Sequence, residues 1–260
     1  MVLIQAILIF VIALNFHKSG NMPNVAVDIG NTRIKSALFA ESAKEPTYTC
    51  KGYEDLLDHY GRKEHQWIFG SVSDDQQVLK EVFSDEDVLF LDHNTPLPIR
   101  VNYDTPETLG VDRLAAAAGA AYQFPERNVL VIDCGTCITY DIIDSAGIFQ
   151  GGVIAPGLTM RMKAMSDYTR RLPDISGEMS QIMLKNLGKS TRECLLAGSL
   201  SASVHEIDGF ISSFLKEYDQ LVVMMTGGDT NHFESKVKAP IFADFDLVLT
   251  GLNRILIKNQ

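Results

Sequence analysis

Two β-branched apolar runs organise this chain, residues 25–39 (VAVDIGNTRIKSALF) and residues 130–144 (LVIDCGTCITYDIID). In each, an apolar run ends in Asp, a Gly-centred turn follows, and a second strand-like run leaves the turn. Gly30-Asn31 between two such runs reads as a tight hairpin, because Gly reaches the positive φ that a primed turn demands. After the first hairpin, residues 41–50 are polar around Pro46 and read as a loop or a third strand. Tyr53, Leu56, Leu57 and Tyr60 recur at helical spacing. Residues 66–71 read as a buried strand, residues 74–83 as a helix capped by Ser73, and residues 88–91 as a short strand. A Pro-punctuated connection over 95–102 leads through residues 103–113 to an Ala-rich helical run at 114–122, whose small side chains suit close packing. The turn at 125–128 is taken as the domain boundary, giving halves of 22–127 and 128–260.

Beyond the second hairpin, residues 147–155 predict a third strand closed by Pro156-Gly157. A helix is expected over 158–171, ending before Leu172-Pro173, and a long one over 191–215 with Gly198 and Gly209 inside it. Residues 221–225 predict a strand that delivers Thr226-Gly227-Gly228-Asp229, and residues 245–256 a closing helix. Strand and helix in alternation indicate an α/β layer architecture. The pair of hairpins is the internal echo of the chain; no short-period repeat accompanies it.

Composition narrows the class. With 46% apolar and 22% charged residues over 260 positions, the chain is an ordinary globular protein of one large domain or two of about 100–130 residues. The net charge of −10 argues against nucleic acid as a partner. It leaves open a small anionic ligand held by local amides and a metal. Four cysteines, Cys50, Cys134, Cys137 and Cys194, point to a reduced, cytoplasmic protein. Residues 2–16 are apolar apart from Gln5 and Asn15, about fifteen against the ~20 of a spanning helix. No positive charge precedes them and no small-x-small cleavage site follows. Three readings stand for residues 1–21: an upstream extension with Met22 as the natural start, a weak membrane anchor, or an ordered helix. No stable membrane association is expected.

The candidate chemistry sits at the hairpins. Asp28 opens an Asp-x-Gly-x-Thr cluster and Asp133 an Asp-x-Gly-Thr cluster. A carboxylate at a strand end beside a Gly turn and a hydroxyl suits a nucleotide phosphate with its metal ion: Gly admits backbone N–H groups to phosphate oxygens, and the carboxylate holds the hydrated cation. Two copies suggest two similar half-domains gripping one polyphosphate. Gly188-Lys189-Ser190-Thr191 invites a P-loop reading, but that motif needs Gly where Met183 stands, and no apolar strand runs into it. Cys134 and Cys137 form a Cys-x-x-Cys without further zinc ligands at suitable spacing, so they read as small side chains of the core. Asp112-Arg113, beside Gly110, has two readings. One is a helix-start acid followed by a solvated Arg. The other is a general base for a substrate hydroxyl next to an Arg that pairs with a substrate carboxylate.

Taken in order, Asp28-Ile29-Gly30-Asn31-Thr32-Arg33-Ile34-Lys35, Tyr103…Pro106…Gly110-Val111-Asp112-Arg113, Asp133-Cys134-Gly135-Thr136, Gly151-Gly152…Pro156-Gly157 and Leu187-Gly188-Lys189-Ser190-Thr191 closely resemble type III pantothenate kinase. That family belongs to the acetate/sugar kinase, Hsc70 and actin superfamily, and the resemblance runs from about Asn24 to the C-terminus. It implies a duplicated actin-like ATPase (ribonuclease H-like) core, two half-domains with mixed sheets flanked by helices, the second bearing dimer-forming helices. It implies ATP held by Asp28 to Lys35 and by Thr136, Mg²⁺ with the ATP, and a monovalent cation (potassium or ammonium) on Asp133. Asp112 would accept the proton. Tyr103, Gly110, Val111, Asp112, Arg113 and Thr191 would bind pantothenate, Arg113 being a candidate partner for its carboxylate. A homodimer whose partner completes the pantothenate pocket is also implied. Cys137 stands where the family more often has a small residue such as Ala. Two rivals remain: a kinase of the same superfamily acting on another small hydroxylated acid, and a non-catalytic regulatory protein retaining the fold.

Overall fold

The computed structural model describes residues 22–31, 33–40, 43–50, 52–62, 64–71, 76–181 and 186–260. Residues 1–21, Thr32 and Ser73 lie outside the described residues. Contacts gather the chain into two units, Met1–Leu91 and Asp92–Gln260.

In the first unit, β1 (Asn24–Ile29) and β2 (Ile34–Ala40) form the expected antiparallel hairpin, with Asp28 opposite Lys35 and Ile29 opposite Ile34. The polar stretch that follows supplies two short strands, β3 (Ala43–Lys44) and β4 (Tyr48–Cys50), both paired to β2. Helix α1 (Tyr53–Tyr60) buries Leu56, Leu57 and Tyr60, and stops at Gly61, whose φ of 85° only Gly takes without strain. Then β5 (Gln66–Ser71), α2 (Gln76–Val82) and β6 (Asp87–Phe90) follow, β5 lying parallel to β1 and β6 parallel to β5. Val25 and Val27 of β1 pack with Leu56, Trp67, Phe69 and Leu79 in one apolar cluster.

The second unit begins earlier than the turn at 125–128. Strand β7 (Arg100–Val101) precedes α3 (Val111–Gln123), β8 (Val129–Cys134), β9 (Cys137–Ile143) and β10 (Ile148–Pro156). Next come α4 (Leu158–Asp167), α5 (Thr191–Leu196), a π turn over Ala197–Ser201 and α6 (Ala202–Glu217). The chain ends with β11 (Val222–Thr226), β12 (Phe242–Ala243) and α7 (Leu247–Lys258). Strand β7 pairs with β10, and α3 contributes Leu114 and Ala117 to the cluster of Val129, Val131, Phe149 and Leu247. Residues 92–127 are therefore built into the second core, and the tight turn at 125–128 is an ordinary helix-to-strand connection within it.

The two sheets repeat one plan. In the first the order is β3-β2-β1-β5-β6, and in the second β10-β9-β8-β11-β12, with β7 added outside β10. In both, the first three strands are antiparallel neighbours and the last two join in parallel. That is a mixed sheet duplicated. In the second unit α6 covers one face with Val204, Ile207 and Ile211. Helices α3 and α7 cover the other at backbone contact: a Cβ on Gly251 would lie 1.7 Å from the Ala115 carbonyl oxygen, and one on Gly119 2.5 Å from that of Leu247. No helix of the described residues is long and apolar enough to cross a membrane.

Candidate active site

The first turn closes without the positive φ expected at Gly30, and Gly135 of the second likewise lies outside the left-handed region. The first is a four-residue connection closed by the Gly30 N–H donating to the Arg33 carbonyl at 3.1 Å. The second joins Cys134 to Cys137 through Gly135-Thr136, and the Gly135 N–H donates to the Cys137 carbonyl at 2.9 Å. Neither glycine is demanded by packing either. A Cβ on Gly30 would meet nothing nearer than 3.5 Å, and one on Gly135 nothing nearer than 3.8 Å. What an absent side chain leaves at both positions is room for something to approach the backbone.

Around the second turn two more loops converge. The Gly157 N–H donates to the Thr136 carbonyl at 3.1 Å, and the Asp229 N–H to the Cys134 carbonyl at 2.9 Å. A Cβ on Gly157 would stand 2.2 Å from the Gly135 carbonyl oxygen. Gly227, with φ +95°, leaves no space for one either: it would lie 2.3 Å from the Cys134 carbonyl oxygen and 2.4 Å from Asp133 Oδ1. Asp133 is half-buried here and Thr136 is exposed at the tip. Burial first, then the charges of Asp133 and Asp229, push the Cys134 thiol well up from its ordinary value. A thiol so protonated is a core side chain; Cys137 is half-buried and both are free. In the first unit Asp28 and Lys35 are half-buried cross-strand neighbours, while Asn31 and Arg33 are exposed.

Asp112 lies in the first turn of α3, which starts at Val111, three residues ahead of the Ala-rich run that predicted it. The Arg113 N–H donates to Asp112 Oδ1 at 2.9 Å, and a Cβ on Gly110 would come within 2.4 Å of that oxygen. Gly110 is thus what lets the carboxylate fold back over the helix start. Arg113 is not solvated. It is 7% exposed, and its Nε donates to both carboxylate oxygens of Asp141 at 3.1 Å while Nη2 reaches Oδ1 at 2.5 Å. The rings of Tyr103 and Phe149 flank the guanidinium at 5.8 and 5.6 Å. Burial draws Arg113 down, but hydrogen bonds and charge from Asp141, with Tyr103 adding to them, leave it above its ordinary value. Burial moves Asp141 up, against the pull of Arg113. The two directions oppose each other for one contact, and the two-oxygen geometry decides it: a guanidinium held this way is matched by a carboxylate, so the pair is charged.

Thr191 is the first residue of α5 and is exposed. Ser190 Oγ accepts from the Glu193 N–H at 3.2 Å, and Glu193 Oε2 accepts from the Lys189 N–H at 2.8 Å, a reciprocal helix cap. A Cβ on Gly188 would lie 2.4 Å from the Cys194 nitrogen. This is how Gly188-Lys189-Ser190-Thr191 is used, as a capped helix start. Farther along, Glu206 of α6 accepts from the Tyr140 hydroxyl at 3.1 Å and from Arg161 at 2.7 and 2.9 Å. Arg161 Nε in turn donates to the Pro156 carbonyl at 2.8 Å, bracing the Pro156-Gly157 loop. Asp141, Arg161 and Glu206 were missed from the sequence. Asp141 did carry a signal, being the one charged residue in the strand Cys137–Ile143. Among the described residues no group of three or more His, Cys, Asp or Glu side chains gathers as a metal cage would.

The sequence profile of type III pantothenate kinase matches residues 24–213, from the first residue of β1 into α6. A type III pantothenate kinase of Bacteroides fragilis is 43% identical over 242 residues, spanning 91% of this chain and 98% of that one. The chain belongs to the type III pantothenate kinase family. Another member, from Cytophaga hutchinsonii, is 38% identical over 236 residues and is covered over 99% of its length. Among solved structures, a Campylobacter jejuni protein described as a Baf family transcriptional activator superposes with a TM-score of 0.58 at 22% identity, covering 90% of this chain and 98% of that chain. A ROK hexokinase of Thermus thermophilus gives 0.50 at 14% identity, covering 92% and 100%. These two speak for the fold alone, and they agree with the duplicated α/β core. The family's profile takes in both Asp–Gly hairpins, the start of α3 and the α5 cap.

Proposed function

We propose that the protein transfers the γ-phosphoryl group of ATP to the primary hydroxyl of pantothenate, forming 4'-phosphopantothenate on the way to coenzyme A. The observation that carries the reading is the half-buried Asp112 carboxylate, folded over Gly110 at the head of α3 beside an Arg whose charge is already matched. Phosphoryl transfer asks little of a protein besides positioning, charge neutralisation and a carboxylate to orient the attacking hydroxyl. Asp112 accepts that hydroxyl's proton; Tyr103, Gly110, Val111 and Thr191 hold the rest of the acceptor, and Arg113, its guanidinium spent on Asp141, backs them without pairing with the acceptor's carboxylate.

The residues present fit a nucleotide. Gly30 and Gly135, their own N–H groups spent within the turns, leave those turns open to approach where neither backbone conformation nor packing requires Gly. Asp28, Ile29, Gly30, Asn31, Thr32, Arg33, Ile34 and Lys35 are assigned to the phosphates, and Thr136 donates its hydroxyl to them. Asp133, a hard oxygen donor beside the backbone of Gly227, is assigned a monovalent cation, potassium or ammonium. Mg²⁺ accompanying the ATP neutralises phosphate charge. A homodimer in the cytoplasm completes the assignment; exposed Ile154 and Leu187 of the second unit are apolar surface that such a contact would cover.

The test is an assay of the purified protein with ATP, Mg²⁺ and pantothenate, with and without potassium. Formation of 4'-phosphopantothenate is expected, and its absence in protein that binds ATP turns the reading towards a regulatory protein of the same fold. Replacing Asp112 by Asn should lower turnover by about 10³-fold or more while ATP affinity, read by calorimetry, stays within a factor of about two. A variant that keeps its turnover rejects the base assignment.

A further inference from the structure

Asp141 touches none of the groups assigned to substrate except Arg113, yet it is 1% exposed and spends its carboxylate entirely inside the protein. We propose that Asp141 is a positioning residue: through Arg113 it ties the first turn of α3, which carries Asp112, to β9, the strand that leaves the Gly135-Thr136 turn. The inference rests on the kinase reading above and names how that site is held together.

Three observations carry it. The first is connectivity. Arg113 adjoins Asp112 and donates its own N–H to the Asp112 carboxylate, so whatever holds Arg113 holds the base. Asp141 lies on the same strand as Cys137, which follows Thr136 directly, so whatever holds Asp141 is held to the phosphate turn. The second is provision of space. Gly152 of β10 is the register partner of Asp141, and a Cβ there would lie 2.3 Å from Asp141 Oδ1 and 2.1 Å from the Tyr140 carbonyl oxygen. The glycine is therefore part of the device, since any side chain would expel the carboxylate from its place. The third is charge. With Asp141 present the buried guanidinium is matched inside the core, flanked by the rings of Tyr103 and Phe149, and Asp112 keeps its own carboxylate for the acceptor hydroxyl. Without Asp141 the carboxylate adjoining the unmatched Arg113 would be that of Asp112.

Stability alone does not explain such a pair, because apolar residues of similar volume serve a core as well or better. A link between base and phosphate turn does explain it, since a misplacement of about 1 Å costs on the order of 100-fold in rate.

The experiment compares full-length wild type, Asp141→Asn, Asp141→Glu and the double variant Arg113→Met with Asp141→Leu. It reads kcat, KM for ATP and for pantothenate, and thermal midpoint. Asp141→Asn should lose about 100-fold in kcat with KM for ATP within about twofold, and Asp141→Glu should recover part of the loss. The double variant should regain the thermal midpoint and not the kcat, which keeps the inference open to refutation should Asp141→Asn fail to fold. A kcat that returns with stability in the double variant makes the pair a core contact and overturns the inference. So does a kcat for folded Asp141→Asn within about threefold of wild type, or a loss that appears only as a raised KM for pantothenate. Wild type inert towards pantothenate overturns the kinase reading, and this inference with it; active wild type beside an unaffected Asp141→Asn overturns the inference alone.

Discussion

The hairpins β1–β2 and β8–β9 share a sequence signature and a place in their sheets, yet they are embedded differently. The second turn is braced from outside: the Gly157 and Asp229 N–H groups donate into it, and Gly227 presses on its backbone. Behind Gly157, Arg161 and Glu206 lock the loop that delivers it. In the first turn the described closure is its own, from Gly30 to Arg33 across four residues. The contrast separates two uses of glycine. Gly157 and Gly227 are required by neighbouring backbone, whereas Gly30 and Gly135 have open space around them among the described residues.

That contrast can be broken most severely at Gly157. Gly157→Ala forces a Cβ into the Gly135 and Thr136 carbonyls, and overpacking of this kind costs about 1–3 kcal/mol. The thermal midpoint should fall and turnover with it by about 100-fold or more; a variant with wild-type stability would show that the loops do not brace each other. Asp133→Asn and Asp28→Asn come next. Both should slow turnover, but only Asp133→Asn should abolish the response to added potassium, and a potassium response that survives it removes the cation assignment. Gly30→Ala and Gly135→Ala should be quieter still. Their Cβ positions are open, so the thermal midpoint should hold within a degree or two, while ATP affinity drops by about tenfold or more (about 1.4 kcal/mol). Unchanged affinity in both would mean that the open backbone is not a phosphate seat.

The smallest effect concerns pH and the first unit. His65 is buried with Nδ1 unpartnered, and burial lowers its pKa from an ordinary value near 6.5 despite the opposing charges of Glu64 and Glu86. The unfolded chain then takes up a proton that the folded chain resists, so stability declines as pH falls through 6.5 towards the lower folded value and levels off below it. Urea midpoints at pH 7.5 and 5.5 should show the decline, and His65→Phe should flatten it.

Much of this molecule could be read from local pattern. The hairpins, α1, β5, β6, the third strand of the second sheet and the closing helix all lie where their apolar spacing puts them, because strand and helix periods are written within a few residues. Helix ends were harder. Helix α3 starts at Val111 rather than Leu114, with no side-chain cap at Gly110 to announce it. Helix α4 stops at Asp167, where Tyr168 and Thr169 close it four residues before the expected end. The long helix over 191–215 stays helical in backbone conformation but passes through a π turn at Ala197–Ser201, which leaves little trace in hydrophobic spacing. The boundary at 125–128 misled because a turn signal marks where the chain bends, and says nothing of which core the flanking helix joins.

By itself the sequence determined the two Asp–Gly hairpins, the α/β alternation, Asp112 beside Arg113, and through their ordered motifs the family. The tertiary structure alone decided what Arg113 is paired with. Its partner Asp141 stands 28 positions away on another element, brought there by sheet register and by the vacancy that Gly152 leaves. Periodicity is a property of neighbours along the chain, whereas the matching of a buried charge is a property of neighbours in space.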